Sequence, residues 1–109
     1  AGGSPVTVTG DFNADPDSEP IGILTGLRGA NPARRLTDSK TVSRTMHHGP
    51  SGTWTAFSSP GAPGDKPIDF VFIKNGVGVL KHATLSDTFD GSFPSDHMPV
   101  LAVVTIPKR

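Results

Sequence analysis

The stretch "PIDFVFIK" at residues 67–74 decides the fold, because it alternates like a β-strand with one polar exception. Alternate residues of the stretch, two of them phenylalanines, fall on one face, and Asp69 shares the opposite face with Val71 and Ile73. An ionised carboxylate among apolar side chains is costly unless it accepts hydrogen bonds or meets a positive partner. The stretch therefore predicts a strand whose Asp69 has a specific partner elsewhere in the chain.

The sequence offers a partner for Asp69 in "SDHMPV" at residues 95–100, where His97 precedes a predicted strand that begins at Val100. A carboxylate that orients an imidazole fixes its tautomer and raises its pKa. This suits a group that donates a proton or meets a phosphate near neutral pH. We therefore expect Asp69 and His97 to lie together, with Asp96 beside them facing a cation.

A further acidic site follows the first predicted strand of the chain. An alternating Val-Thr run ends at Gly10, and "GDFN" then places Asp11 and Asn13 at the end of that strand. Hard divalent cations such as Mg²⁺ take carboxylate oxygens together with water and substrate phosphate. Asp11 and Asp96 are therefore the candidate metal ligands.

Each of these residues also has a purely structural interpretation. Asp11 and Asn13 could end the strand in a turn closed by Asx hydrogen bonds. Asp69 could cap a neighbouring backbone segment, and Asp96 and His97 could form a turn before the last strand. The residues taken alone leave both interpretations open.

The remaining pattern predicts a short helix and further strands separated by turns. We expect a helix from Ser18 to Leu27, a helical turn near Leu36 to Val42, a loop from Ser58 to Lys66, strands from Ile68 to Ile73, Val79 to Leu85 and Val100 to Ile106, and a hairpin turn at Lys74-Asn75-Gly76.

The composition limits the chain to one small domain and excludes several functions. Its 109 residues contain 10 Lys and Arg against 10 Asp and Glu, and no cysteine. A nonspecific nucleic-acid footprint would need a basic surplus, and thiol chemistry would need cysteine. No apolar run reaches the length of a membrane span. The sequence indicates a soluble chain and leaves its compartment open, secretion included.

The histidines and aromatic residues outside the three motifs are less informative. Adjacent His47 and His48 side chains point apart in an extended chain, so we expect a solvated loop there rather than a metal pair. His82 alternates with apolar residues and is expected to be structural. Phe89 and Phe93 lie in the loop before "SDHMPV" and are the better candidates for an aromatic contact with a substrate, with Phe93 the one to test first.

In this order, "GDFN", "IDFVFI" and "SDHMPV" resemble the C-terminal half of the endonuclease/exonuclease/phosphatase superfamily. The stretches "DPDSEPIGILTG" and "GTWTAF" resemble the helix start and the strand between those motifs, so the resemblance covers almost the whole chain. The resemblance implies an α+β fold, half of a four-layer αββα sandwich with mixed or antiparallel sheets. Residues 1–109 would then be the C-terminal half of that domain.

The resemblance also implies a role for each motif residue. Asp11 would orient or deprotonate the attacking water, and Asn13 would hydrogen-bond the phosphoryl oxygens. Asp69 would orient His97, and His97 would contact the scissile phosphate and stabilise its developing charge. Asp96 would lie with Asp11 on the metal side, where the family uses a divalent ion, Mg²⁺ in the first place and Mn²⁺ or Ca²⁺ as alternatives.

This chain departs from the family pattern in ways that affect function. The family's N-terminal half supplies a metal-binding glutamate, and the only glutamate here is Glu19, downstream of "GDFN". Lys66-Pro67 replaces the common arginine before the "ID" pair, and Phe70 stands where tyrosine is frequent. We therefore expect a companion N-terminal half, in a separate chain or a cleaved fragment, and no activity from this chain alone.

Two classes of function follow from the sequence. The first is a metal-dependent phosphoesterase that hydrolyses a phosphodiester, as a nuclease does, or a phosphomonoester, with DNA, RNA, lipid head groups and small esters as possible substrates. The second is a non-catalytic remnant or interaction module that keeps the motifs of the fold. The lack of a basic strip disfavours long duplex DNA as the substrate.

Overall fold

The secondary structure follows the predicted order of elements. The computed structural model describes residues 3–28, 32–57 and 65–108. Its strands are β1 (Val6–Asp11), β2 (Thr37–Asp38), β3 (Asp69–Lys74), β4 (Gly78–Thr84) and β5 (Val100–Thr105), with the helix α1 (Glu19–Thr25) and 3-10 helices at Pro32–Arg34 and Ser39–Val42. Most of the predicted loop from Ser58 to Lys66 lies outside the described residues.

The first sheet brings the "GDFN" and "PIDFVFIK" stretches together. Its strand order is β1-β3-β2, and both pairs are antiparallel. In the register of β1 on β3, Asp11 lies directly opposite Asp69. Directly opposite residues project from the same face of a sheet. The register therefore places the two carboxylates side by side at one end of the sheet.

The second sheet contains β4 and β5, which pair antiparallel. The described strands agree with the predicted ones to within about a residue at each end, a common level of disagreement at strand ends. The predicted strand in "GTWTAF" is reduced to an isolated bridge between Trp54 and His97. That bridge is nevertheless important, because it attaches the segment before β3 to the segment that precedes β5.

The helix α1 is shorter than the sequence predicts. Ser18 is the N-cap, as expected, but its hydroxyl donates to the carbonyl of Asp15 at 2.6 Å instead of capping the helix. Gly26 adopts the left-handed conformation with φ 81° and ends the helix at Thr25 rather than Leu27. Glycine takes that conformation without the steric cost that a side chain would add.

The apolar core lies on the α1 side of β3. Phe70, Phe72 and Ile21 are buried together, and Phe12 meets both phenylalanine rings edge to face. A smaller buried cluster of Ile73, Val77 and Val79 packs against Val104. The core fixes β3 from both sides, so the end of the strand that carries Asp69 has a defined position.

In the part of the chain that the structure describes, no helix is long and apolar enough to cross a membrane.

Candidate active site

Asp69 and His97 form a direct hydrogen bond. The distance from His97 Nδ1 to Asp69 Oδ2 is 2.8 Å. A carboxylate oxygen only accepts, so Nδ1 carries the hydrogen and Nε2 is the nitrogen that faces the open side of the site. This carboxylate–imidazole pair is the arrangement that the buried position of Asp69 called for.

Asp11 faces the same histidine from β1. Its Oδ2 lies 3.8 Å from His97 Nε2, and its Oδ1 accepts a hydrogen bond of 2.8 Å from the backbone of Asn13. A separation of 3.8 Å is too long for a direct hydrogen bond. A water to one side of the two atoms can donate to Asp11 and accept from Nε2 of His97. At the wall of the open cavity, Asp11 can therefore accept from a water while Nε2 of His97 can donate to a water or a phosphoryl oxygen.

Asn13 sits in a tight turn at the end of β1. Its φ of 49° is in the left-handed region, which asparagine tolerates better than most residues. The bond to Asp11 is an Asx-type interaction, so the structural interpretation of "GDFN" is correct as far as the backbone goes. The turn leaves Asn13 exposed beside a cavity, where its amide is available to a ligand.

Asp96 and Phe93 do not join the Asp69–His97 pair. The backbone carbonyl of Asp96 accepts a hydrogen bond of 2.7 Å from Thr55. Among the described residues, the cluster with ligand atoms within 4.8 Å of one another consists of Asp11, Asp69 and His97, without Asp96. Phe93 is half-buried, and neither of the two cavities beside the site includes it in its wall. Metal binding by Asp96 and substrate contact by Phe93 stay predictions.

Thr53 is the site residue that sequence reasoning missed. Its hydroxyl donates to Asp69 Oδ2 at 2.7 Å and accepts from the backbone amides of Ile68 and Asp69 at 3.1 and 3.3 Å. Thr53 and Thr55 are buried while Trp54 between them is 54% exposed. The alternation in "TWT" was a signal of one inward face, although it did not say what that face contacts.

Two backbone hydrogen bonds hold the Thr53 segment against the histidine. Met98 donates to the carbonyl of Thr53 and Thr55 donates to that of Asp96, both at 2.7 Å. These bonds flank His97, whose own amide donates to Ser95 Oγ at 3.1 Å. The backbone of His97 is therefore fixed on both sides, and Asp69 fixes its ring.

The electrostatics of the site favour a protonated His97. The hydrogen bond to Asp69 raises the pKa of His97 above its usual value, and the charges of Asp69, Asp11 and Asp96 act in the same direction against partial burial. The neighbouring carboxylates stabilise the imidazolium more than desolvation disfavours it. The protonated ring can donate from Nε2 to an anionic oxygen, and a phosphoryl oxygen of a phosphate ester is such an acceptor.

Two open cavities flank the Asp11–Asn13 turn. One, of about 500 Å³, includes Asp11, Asp69 and His97 in its wall. The other, of about 880 Å³, has Asn13, the exposed face of Trp54 and Lys66 in its wall. A phosphate ester whose phosphate lies at Asp11 and His97 therefore has room for its organic groups on both sides of the turn.

The donor set offers part of a site for a divalent cation. Asp69 is already engaged by Thr53 and His97, so it is a poor candidate for a ligand. Asp11 Oδ2 is the carboxylate oxygen that faces the open side of the cluster, and Asp96 is the nearby carboxylate. Mg²⁺ is commonly held by one or two carboxylates with water and phosphate oxygens. Asp11 fits that role, with further ligands left to water, substrate or another part of the protein, and Asp96 stays a predicted ligand.

The prediction of a solvated loop at His47 and His48 is wrong for His47. His47 Nδ1 lies 2.8 Å from Nδ1 of His82 on β4, and both rings are turned inward. His48 is exposed and pairs with β4 through its backbone. The side chains of His47 and His48 do point apart, as expected. The inward ring of His47 contacts His82, which is distant in the sequence.

The comparisons with known proteins agree on one family. The sequence model of the endonuclease/exonuclease/phosphatase family matches residues 1–97. A conserved protein of unknown function from Enterococcus faecalis V583 has a similar structure, with TM-score 0.78 and 33% identity over 94% of this chain and 37% of that one. No curated protein matches the chain.

Two further solved structures are similar over a comparable share of their length. An endonuclease/exonuclease/phosphatase from Bacteroides vulgatus has TM-score 0.78 and 25% identity over 95% of this chain and 37% of that one. A mannosyl-6-phosphatase from Bacteroides thetaiotaomicron VPI-5482 has TM-score 0.76 and 24% identity over 94% and 38%, which shows the fold. The chain spans little more than a third of each of these structures, and the expected α+β fold with antiparallel sheets is confirmed.

Proposed function

The chain belongs to the endonuclease/exonuclease/phosphatase family, and on this premise we propose that it carries one half of the active site of a metal-dependent phosphoesterase. The observation that supports this proposal most directly is that Asp11 Oδ2 and His97 Nε2 lie 3.8 Å apart in the wall of one cavity, while Asp69 holds the other nitrogen of the imidazole by a hydrogen bond. Members of the family are hydrolases of phosphate esters, and the two groups suit that chemistry, because Asp11 can accept from a water and His97 can donate to a phosphoryl oxygen.

In the proposed reaction, a water oxygen attacks phosphorus while the bond from phosphorus to the leaving oxygen breaks. Asp11 orients this water and accepts its proton. His97 donates from Nε2 to a phosphoryl oxygen and stabilises the charge that develops there, and Asn13 hydrogen-bonds a second phosphoryl oxygen. Asp69 keeps the histidine protonated and correctly turned.

Asp11 and Asp96 would hold a divalent ion, Mg²⁺ in the first place, which supplies electrostatic stabilisation of phosphoryl charge. The described residues offer few carboxylate oxygens at this site besides those of Asp11 and Asp96. The ligands that it lacks, and the rest of the domain, would come from an N-terminal half, in the same polypeptide or as a separate fragment. The chain alone is therefore expected to be inactive.

The cavities favour a small phosphate ester over a long polyanion. Trp54 and Asn13 lie in the wall of the same cavity, so a sugar or base attached to the phosphate would meet an aromatic face. The described surface beside that cavity is not strongly basic, because Lys66 is paired with Asp17 at 2.5 Å. A continuous basic track for a nucleic-acid backbone is therefore not supported by this region.

The test is hydrolysis by the full-length protein that contains this chain. Bis(p-nitrophenyl) phosphate and p-nitrophenyl phosphate, each with and without Mg²⁺, distinguish diesterase from monoesterase activity. We expect metal-dependent hydrolysis that is lost in His97→Ala and kept in His48→Ala, which alters an exposed histidine outside the site.

Each contrary outcome has a defined meaning. Equal rates in His97→Ala and His48→Ala would reject the proposed site. No hydrolysis of either ester, in a folded protein that binds metal, would favour the non-catalytic interaction module instead. Hydrolysis by this chain alone would reject the need for an N-terminal half.

A further inference from the structure

The half-buried His47 and the buried His82 form a histidine pair behind the candidate site. Their Nδ1 atoms are 2.8 Å apart, and His82 is only 5% exposed. His47 Nε2 lies 2.8 Å from the carbonyl oxygen of Pro50, which can only accept a hydrogen bond. Nε2 therefore carries a hydrogen, a neutral His47 has a lone pair at Nδ1, and His82 donates the hydrogen of the contact.

The contact between the two Nδ1 atoms has room for a single hydrogen. One added proton can be tolerated, because either ring can become the cationic donor while the other keeps a lone pair. A second proton leaves hydrogens on both Nδ1 atoms, and two imidazolium rings cannot remain 2.8 Å apart at those atoms. The contact between the two Nδ1 atoms is therefore stable in neutral solution and is broken when the solution is acid enough to protonate both rings.

The pair fastens the segment that leads to Thr53. His47 is bonded to Pro50, and the backbone of His48 exchanges hydrogen bonds with His82 and Thr84 on β4 at 3.0 and 2.9 Å. Only two residues, Ser51 and Gly52, separate Pro50 from Thr53. His47, His82, Thr53 and Asp69 also surround one void of about 10 Å³, which is at most the size of a single water.

We propose that His47 and His82 are positioning residues for Asp69 and His97, and that their contact opens when both rings are protonated, which releases Thr53 from Asp69. The catalytic part of this inference rests on the proposed function. The acid-sensitive contact does not, because it follows from the hydrogen bonds of the two rings.

The charged groups around the pair agree with this proposal. Asp38 on β2, Lys40 in the 3-10 helix and Asp69 on β3 face the same void, whereas β5 contributes the apolar Val100. Lys40 Nζ is bonded to Ser51 Oγ at 2.7 Å, and Asp38 accepts from the backbone of Lys40 at 3.1 Å. Burial, followed by the charges of His47 and Lys40, lowers the pKa of His82 to about 4.

The test uses variants that keep the contact but cannot take the second proton. In His82→Asn, the side-chain amide can donate to a neutral His47 or accept from a protonated one. In His47→Gln, the amide oxygen accepts from His82 in both of its charge states. His48→Asn is the matched control, since it removes the exposed neighbour and leaves the pair intact. Two variants on opposite sides of the contact keep the test decisive if one fails to fold.

The measurements are made on the full-length protein between pH 3.5 and 7. They are the thermal midpoint, the exchange protection of the Ile68 and Asp69 amides that donate to Thr53, and the pH dependence of kcat. We expect wild type and His48→Asn to lose amide protection on acidification. His82→Asn and His47→Gln should keep it to a pH lower by about one unit or more.

The possible outcomes separate the two parts of the inference. Identical acid transitions in wild type, His82→Asn and His47→Gln would overturn the proposal. A uniform loss of thermal stability at every pH, without a change in the acid transition, would show a merely structural pair and would also overturn it. Amide protection that follows the pair, in a protein without hydrolysis at any pH, would reject the proposed function and support the acid-sensitive contact.

Discussion

Replacement of Thr53 by valine tests how the site is held together. The change keeps the shape of the side chain and removes the hydroxyl that donates to Asp69 and accepts from two backbone amides. A hydrogen bond to a charged group contributes about 1.5–3 kcal/mol. If about 2 kcal/mol of that is lost from the transition state because Asp69 no longer holds His97, kcat/KM falls roughly 30-fold.

A matched control separates this effect from general destabilisation. Thr55 is also buried, and its hydroxyl donates to the carbonyl of Ser95 at 3.2 Å and accepts from the amide of Phe57 at 3.0 Å. Thr55→Val should therefore lose stability in urea without a comparable loss of kcat/KM, and Thr53→Ser should retain activity. The reasoning is refuted if Thr53→Val and Thr55→Val, both folded, have kcat/KM values within about twofold of each other.

Three further predictions concern other parts of the fold. Gly49→Ala should cost more than about 2 kcal/mol in urea unfolding, because a Cβ would lie 2.1 Å from the Thr84 carbonyl oxygen at φ +89°; an unchanged midpoint would contradict this. Asp69 raises the pKa of His97, so the stabilisation of the fold by protonated His97 is fully present below the unfolded pKa near 6.5. It is lost as pH rises through the raised pKa of the folded state. The stability difference between wild type and His97→Gln should therefore shrink with rising pH. A difference that grows with rising pH would contradict the raised pKa of His97. Phe93→Ala should raise KM severalfold with little change in kcat, and an unchanged KM would remove Phe93 as a substrate contact.

The sequence predicted those parts of the site that depend on local pattern. Asp69 stood out because a carboxylate broke an apolar strand face, and the need for a partner follows from desolvation alone. The predicted strand end at Gly10 is one residue short, because β1 runs to Asp11, but it located Asp11 at the end of the strand. The register that sets Asp11 opposite Asp69 could not be obtained in this way, because strand pairing between distant segments is decided by tertiary packing.

Thr53 and His47 were missed for the same physical reason. A threonine in an alternating segment has one inward side chain, but the group that it meets depends on how the loop returns to the sheet. The steric rule that separated His47 from His48 was sound. It could not reveal that His82, at a sequence separation of 35 residues, would lie at hydrogen-bonding distance. Long-range polar partners are selected by topology, and local patterns contain little information about them.

The two histidines near Asp69 show how position alone can make one histidine charged and another neutral at the same pH. His97 contacts the carboxylate directly, and that contact raises its pKa, whereas His82 is buried behind it and its pKa falls to about 4. Stabilisation by the neutral His82 is present above the unfolded value near 6.5 and is lost as pH falls towards 4, while stabilisation by the protonated His97 is lost as pH rises. Near pH 6.5 the folded chain therefore holds a charged ring in front of Asp69 and a neutral one behind it. This distribution orients the positive charge of the site towards the side where a phosphate would bind.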